Sequence, residues 1–183
     1  DRVIQVVDSL SKFFKISISK GKEVITIGKE VEHIQSYIEI QKIRYDDKFV
    51  CIFEIDEDIV NYYCPKLILQ PLIENAIYHG VKNIEGQGTI KIEGTMDNGY
   101  IVIRIKDNGN AFNDTIIKEL NRMLAEPLDF NGDFGIGIKN VDSRIKMYFG
   151  QEFGLLYSME GDMDIVTIIF PAVNNDYENY KKE

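Results

Sequence analysis

The sequence predicts an α+β protein: a two-layer sandwich in which helices cover one face of a mixed sheet, preceded by a helical segment. Two observations support this prediction. The spacing of apolar residues changes from about 3.6 to about two near residue 48, where helices give way to strands. From there the order strand, helix, hairpin, helix, loop, helix, hairpin does not alternate as in a parallel βαβ protein.

The first part of the chain has helical periodicity. Apolar residues recur at intervals of three and four along 1–20, and a second helix is predicted over about 26–45, with Ile34 and Ile38 on its apolar face. Two apolar helices in series are typical of a docking or dimerising element.

Turn signals bound the strands and helices that follow. Alternating apolar residues predict a strand over 49–55, and Asp97-Asn98-Gly99 predicts a hairpin because these residues tolerate positive φ. The remaining predicted elements are strands 89–96, 100–106, 153–159 and 165–170 and helices from Pro71 to near Gly80, 113–125 and 137–149. Residues 126–134 carry no periodicity and are predicted to form a mobile loop, and the polar tail 174–183 is predicted to fray.

Composition excludes several classes of protein. The 30 acidic and 21 basic residues give a formal charge of -9, which would repel a nucleic acid, so no nucleic-acid partner is expected. Cys51 and Cys64 lack metal-ligand spacing and are expected to be reduced packing residues of a cytoplasmic protein. Without an apolar stretch of about 20 residues, we expect no direct membrane contact. The first residue is not Met, and the chain is expected to be a fragment of a longer protein.

Polar residues form one line on the helix after Pro71. Asn75, His79 and Lys82 follow one another at intervals of four and three, and Glu74 is adjacent. An amide oxygen, an imidazole and an ammonium group in a row suit a magnesium-bound triphosphate, and the carboxylate could position or deprotonate a nucleophile. Alone, such a stripe is more often a solvated helix face.

Two glycine-containing turns add to this pattern. Asp107 ends an apolar strand and could accept a hydrogen bond from an exocyclic amine such as that of adenine, while Gly109 lets a ring approach the backbone. Gly135 and Gly137 open a helix whose free backbone N–H groups could bind phosphate. Taken singly, each could be an ordinary turn.

The order of these motifs resembles a known family. The run Gln70-Pro71-Leu72-Ile73-Glu74-Asn75-Ala76-Ile77-Tyr78-His79-Gly80 is similar to the asparagine box of the GHKL ATPases, as found in sensor histidine kinases of the YesM- and LytS-like class. Asp107-Asn108-Gly109 resembles the first glycine box, and Gly135-Ile136-Gly137-Ile138-Lys139-Asn140-Val141 the second. Upstream, Leu10-Ser11-Lys12-Phe13-Phe14 and Tyr37-Ile38-Glu39-Ile40-Gln41-Lys42-Ile43-Arg44 are also similar to that class.

The resemblance implies a Bergerat ATP-binding fold over 47–173, preceded at 1–46 by the end of the dimerisation and phosphoacceptor region. It also implies that Asn75 binds Mg²⁺, that Asp107 contacts the adenine of ATP, and that Glu74 assists phosphoryl transfer. The phosphate would pass to a histidine upstream of residue 1 and then to an aspartate of a response-regulator receiver domain. The intact protein is expected to be a homodimer anchored in the bacterial plasma membrane.

The chain departs from the family pattern at two places. Ala111 stands where a second glycine is usual, and Met163-Asp164 replaces a Gly-Thr pair. A Cβ at residue 111 would crowd the adenine, and the carboxylate of Asp164 would add negative charge, so weaker nucleotide binding is expected. Two alternatives therefore stay open: a degenerate nucleotide-binding module that regulates by contact, and another GHKL ATPase.

Neither histidine of the chain is expected to be the phosphoacceptor. His33 lies outside any Pro-His-Phe pattern and is interpreted as a helix-surface histidine without a functional role, whereas His79 fits the nucleotide site.

Overall fold

The computed structural model describes residues 2–18, 23–109, 112–126 and 136–174. In chain order the helices and strands of these residues are α1 (Arg2–Ser17), β1 (Val24–Thr26), α2 (Ile27–Arg44), β2 (Phe49–Ile55), β3 (Tyr63–Pro65), α3 (Gln70–Asn75), β4 (Gly88–Asp97), β5 (Tyr100–Asp107), α4 (Asp114–Ala125), α5 (Ile136–Phe149), β6 (Gly154–Glu160) and β7 (Met163–Pro171).

Five strands form one mixed sheet in the order β2-β4-β5-β7-β6. β2 and β4 are parallel, and the other neighbouring strands are antiparallel. Side chains of β4 alternate between the two faces of the sheet, so that Ile90 and Ile92 are fully buried, whereas Lys91 and Glu93 form an ion pair of 2.8 Å on the other face. The predicted α+β sandwich, with a mixed sheet and helices against one face, is confirmed.

Helix α5 shows how the helical layer joins this sheet. Ile138, Val141 and Ile145 recur at helical spacing and are buried in the same apolar core as the inner face of the sheet. At the end of the helix, the ring of Phe149 stacks on that of Phe170 in β7 at a centroid distance of 5.2 Å. Burial of this stripe fixes where the start of α5 lies relative to the sheet.

The helical segment is also joined to the sheet domain. β1 pairs with β3 in a separate antiparallel sheet, and Ile27, Ile34 and Ile38 of α2 belong to the same core as the five-stranded sheet. Strands of three residues lack the length from which periodicity can be recognised, and the sequence analysis predicted neither. The division of the chain at residues 46 and 47 stays a prediction.

His33 is a correction to the sequence analysis. The prediction of a surface histidine was wrong, because α1 packs against α2 and leaves the side chain of His33 fully buried. Its ring stacks on Phe13 of α1 at a centroid distance of 4.5 Å, and burial lowers the pKa of the imidazole. His33 therefore contributes to the contact between the two helices.

Most element boundaries agree with the sequence analysis. The hairpin between β4 and β5 is confirmed, with Asn98 and Gly99 at φ values of 49° and 85°.

Cys51 and Cys64 are free thiols, half-buried and buried respectively, as predicted. Residues 127–134 of the predicted loop and 175–183 of the predicted tail lie outside the described residues. Within the described ranges, no helix has the length and apolar character needed to span a bilayer.

Candidate functional site

The helix after Pro71 differs from the uninterrupted helix that the sequence predicted. Regular α3 ends at Asn75, a π-helical turn spans Ala76–Gly80, and a 3₁₀ turn spans Val81–Asn83. Apolar residues on one side, including Leu72, Ile73 and Ile77, are buried in the core, so the opposite side of this segment is directed away from the sheet. After this change of helical period, Asn75 and His79 still line one cavity, whereas Lys82, which a regular helix would align with them, does not.

A cavity of about 650 Å³ lies beside this segment. Four parts of the chain line it: the segment around α3, strands β5, β6 and β7, helix α4 and the start of α5. The lining residues are Pro71, Leu72, Glu74, Asn75, Ala76, His79, Gly80, Ile105, Asp107, Phe112, Ile116, Leu120, Ile136, Gly137, Ile138, Tyr157, Asp164 and Val166. The structure thus brings together five predicted site residues, namely Glu74, Asn75, His79, Asp107 and Gly137.

Asp107 is held at the end of β5 by two close backbone contacts. Its Oδ1 accepts a hydrogen bond of 2.9 Å from the N–H of Gly109. A Cβ built on Gly80 would lie 2.2 Å from that same oxygen, and one on Gly109 would lie 2.1 Å from the Cα of Gly80. Only glycines permit this approach of the π-helical turn to the strand end. Gly109, predicted to let a ligand ring approach, here makes room for Gly80.

The carboxyl group of Asp107 has an unusual environment. The residue is 7% exposed. Burial raises the pKa of Asp107 to about 7, Asp164 contributes in the same direction, and the N–H of Gly109 opposes both. The group can therefore exchange a proton near neutral pH.

Asn75 is joined across the cavity to Tyr157 of β6. The two side chains are hydrogen-bonded, and burial raises the pKa of the Tyr157 hydroxyl, with the Asn75 contact acting in the opposite direction. Asn121 of α4 holds the backbone of Tyr157, accepting from its N–H at 2.8 Å and donating to its carbonyl at 2.9 Å. Tyr157 was not predicted as a site residue, because an aromatic residue in an edge strand gives no signal of a site.

Glu74 is held by two side chains outside the cavity lining. Nε2 of Gln70, one turn earlier in α3, donates to Oε1 of Glu74 at 2.9 Å. The buried Tyr37 of α2 is hydrogen-bonded to the same carboxylate. The carboxylate is therefore positioned by its own helix and by the preceding helical segment.

Of the remaining predicted site residues, Gly137 lines the cavity, Gly135 is not described and Lys82 lies outside the cavity lining. Gly137 lies in the first turn of α5, and a Cβ there would meet only Pro71 at 3.7 Å, so the start of this helix is open on the cavity side. Gly135 lies outside the described residues. Lys82 is exposed and does not line the cavity; its Nζ lies 5.6 Å from the ring centroid of Tyr78.

Among the residues that the structure describes, no group of three or more His, Cys, Asp or Glu side chains could bind a metal ion. The amide of Asn75 supplies an oxygen ligand that suits Mg²⁺, and the carboxylate of Glu74 is adjacent in sequence. This donor set fits an ion that completes its coordination with phosphate oxygens and water.

A one-sided α/β sandwich whose asparagine helix, β5 end and α5 start surround one cavity defines the class of GHKL-type ATP-binding domains. Comparison with known proteins supports the same class. The family model described as "Histidine kinase-, DNA gyrase B-, and HSP90-like ATPase" matches residues 65–174, and the histidine kinase model matches residues 1–49. The chain belongs to this ATPase family and carries the ATP-binding catalytic domain of a histidine kinase.

The chain is also similar in sequence to curated sensor histidine kinases and in fold to a solved catalytic domain. The chain is 34% identical to sensor histidine kinase YpdA of Escherichia coli over 82% of its own length, and 29% identical to sensor histidine kinase YesM of Bacillus subtilis over 91%. It spans 26% and 28% of those proteins, about a quarter of each. The catalytic domain of histidine kinase ThkA has the same fold, with a TM-score of 0.63 at 14% identity, covering 83% of this chain and 97% of that domain.

Proposed function

We propose that the cavity binds ATP with Mg²⁺ and that the parent protein transfers the γ-phosphate to a histidine upstream of residue 1. The observation that carries this proposal is the convergence of Asn75, His79, Asp107 and Gly137 on one cavity from separate parts of the chain. Each supplies a chemistry that the nucleotide requires, and their convergence makes an ordinary solvated helix face a poor explanation.

The proposed roles follow the geometry. Asp107 would contact the adenine between apolar walls that include Ile105 and Val166. Asn75 would hold Mg²⁺, with His79 near the phosphates. The open first turn of α5 at Gly137 would bind phosphate oxygens through backbone N–H groups. Gly135, predicted to act with it, is proposed on the sequence pattern alone.

Glu74 is the proposed catalytic carboxylate. Phosphoryl transfer depends mainly on positioning and on neutralising charge, and a carboxylate beside the Mg²⁺ ligand could orient or deprotonate the acceptor imidazole. The hydrogen bond from Gln70 at 2.9 Å restricts its rotamer before the acceptor arrives. Lys82, which the sequence pattern predicts as a ligand of the triphosphate, does not line the cavity and is given no role in the proposed site.

The partners proposed for the parent protein rest on its family. Sensor histidine kinases in general act as dimers on response regulators, and we propose a receiver-domain partner and a homodimer here, without nucleic-acid binding. The parent is further proposed to be anchored in the bacterial plasma membrane with this part in the cytoplasm. Fractionation of cells that produce the full-length protein would test the location.

Calorimetric titration with ATP and Mg²⁺ tests the nucleotide site. We expect saturable binding that Asn75→Ala and Asp107→Ala each weaken by at least about tenfold, the loss of a charge-assisted or metal contact. Asn61→Ala and Asp58→Ala, which remove the same groups from exposed positions outside the cavity, are the matched controls. Absence of binding by the unmutated chain at millimolar ATP would contradict the proposal.

One observation favours a second function. Asp164 is buried in the cavity wall, where its charge opposes an anionic ligand. A nucleotide-free module that regulates by contact would tolerate that charge. Labelling of the full-length protein by γ-labelled ATP distinguishes the two functions, because only the kinase would acquire the label. Another GHKL ATPase is disfavoured by the match of residues 1–49 to the histidine kinase model.

A further inference from the structure

Two buried carboxyl groups lie opposite each other at the base of the cavity. Asp107 of β5 and Asp164 of β7 are directly paired residues of adjacent antiparallel strands. They are 7% and 3% exposed, and both line the cavity. Directly opposed residues on one face of a sheet have Cβ atoms about 5 Å apart, and like charges at that distance destabilise each other.

Backbone N–H groups contact both members of the pair. Asp107 accepts from the N–H of Gly109 at 2.9 Å, and both oxygens of Asp164 lie 3.2 Å from the N–H of Phe112. No lysine or arginine occurs among the described residues that line the cavity. In the part of the chain that the structure describes, the other titratable groups that line the cavity are Glu74 of α3, His79 of the π-helical turn and Tyr157 of β6.

We propose that Asp164 is a specificity-determining residue, which forms with Asp107 a carboxyl pair that binds the adenine ring while holding one proton. This inference rests on the proposed nucleotide site and adds to it. A carboxylate only accepts hydrogen bonds, whereas a carboxylic acid also donates one. A pair with one proton therefore offers one acceptor and one donor, which complement the exocyclic amine and the ring nitrogen N1 of adenine.

Adenine binding requires the proton because the pair must donate one hydrogen bond to N1 of the ring. When both groups are ionised, the pair offers only acceptors, and N1 of adenine, itself an acceptor, has no partner. Burial and the neighbouring carboxyl group raise the pKa of Asp107 to about 7, so the free protein loses this proton near neutral pH. Adenine binding above that pH must then take up a proton from solution. Guanine, which has donors at N1 and N2, would fit the fully ionised pair better.

Calorimetry with ADP and Mg²⁺ at about pH 6 and about pH 8 tests this proposal. We expect the unmutated chain to bind ADP about tenfold more weakly at the higher pH, since one required proton costs up to about tenfold in affinity per pH unit. Titrations in two buffers of different ionisation enthalpy should show uptake of most of one proton at the higher pH. ADP should bind more tightly than GDP at the lower pH.

Variants at Asp164 and His79 separate the titration of the carboxyl pair from that of other groups. Asp164→Asn keeps the shape of the side chain and supplies a fixed donor, and Asp164→Thr serves if the amide destabilises the fold. Either should bind ADP about tenfold more tightly than the unmutated chain at about pH 8, without the additional proton uptake. His79→Asn removes a group proposed to lie near the phosphates and should weaken ADP binding at both pH values, but the ratio of the two affinities should be kept because the carboxyl pair is intact. Titration of the ADP phosphates is common to all the chains and cancels in the comparison.

The outcomes are distinct from those for the nucleotide site itself. Absence of ADP binding by every chain at both pH values would overturn the proposed function. Binding with the same pH profile in the unmutated chain and both Asp164 variants would overturn this inference alone, as would tighter binding of GDP than of ADP at about pH 6. Loss of the pH difference in His79→Asn would also overturn it, since the imidazole would then account for the effect.

Discussion

The hydroxyl group of Tyr37 in α2 is hydrogen-bonded to the carboxylate of Glu74 in α3. Tyr37 is 6% exposed, and its pKa is raised by burial and then by the charge of Glu74, so the hydroxyl is the donor. The contact joins α2 of the helical segment to the proposed catalytic carboxylate of Glu74. A displacement of α2 would thus move this carboxylate or leave it without one of its two partners.

Tyr37→Phe should slow phosphoryl transfer without weakening nucleotide binding. The ring still fills its buried position, but Glu74 loses one hydrogen bond, worth about 1 kcal/mol, which corresponds to a rate about fivefold lower. Transfer is measured as labelling of the full-length protein, and the affinity for ATP by calorimetry. Tyr148→Phe is the matched control, because the Tyr148 hydroxyl donates to Glu23 and does not line the cavity. An equal decrease in both variants would contradict the assigned role.

Glu30→Gln should destabilise the fold. Glu30 is fully buried in α2, where Oε2 accepts from the N–H of Leu67 at 2.9 Å and Oε1 from that of Leu69 at 3.0 Å. An amide has one oxygen, so its NH₂ group would face a backbone N–H. We expect the free energy of unfolding to decrease by about 2 kcal/mol, the cost of an unsatisfied buried donor. Urea denaturation measures the change, and Glu32→Gln on the exposed side of α2 should be neutral.

The sequence sufficed for the parts of this protein that depend on local pattern. The boundaries of α2, the hairpin at Asn98 and Gly99 and the helical core face of α5 each follow from periodicity or turn chemistry within a short window. Asn75 and Asp107, which the order of the motifs singled out as site residues, both line the cavity.

The sequence did not suffice where distant segments meet. The π-helical turn forms where Gly80 packs against Asp107 and Gly109, a contact between segments about 30 residues apart. His33 is buried because α1 covers it, and a helical pattern alone does not show what packs on each face. Tyr157 reaches the site only through the order of strands in the sheet, which local periodicity does not determine.

Asp107→Asn should flatten the dependence of stability on pH in the absence of nucleotide. The pKa of Asp107 is raised to about 7, above its unfolded value of about 4, so the native state binds more protons than the unfolded state between these values. The free energy of unfolding therefore falls as pH rises through this window, by about 4 kcal/mol at most. Urea denaturation at about pH 5 and about pH 8 measures the slope.

The control for this change is Asp58→Asn, at an exposed position of a 3₁₀ turn, which should keep the unmutated slope. A slope in Asp107→Asn equal to that of the unmutated chain would show that other groups cause the dependence. A rise in stability with pH over the same window would contradict the direction of the Asp107 shift.

Lys82→Met should leave the affinity for ATP within about twofold of the unmutated value. The sequence aligned Lys82 with Asn75 and His79 at regular helical spacing, but the π-helical and 3₁₀ turns place its exposed Nζ 5.6 Å from the Tyr78 ring, outside the cavity lining. An exposed cation–π contact contributes about 0.5–1 kcal/mol to stability and does not involve the nucleotide. Methionine keeps much of the apolar stem and removes the charge, and Lys29→Met on the exposed side of α2 is the matched control. Calorimetric titration with ATP measures the affinity of both variants. A tenfold loss of affinity in Lys82→Met alone would mean that this ammonium group reaches the triphosphate, as the sequence pattern predicted.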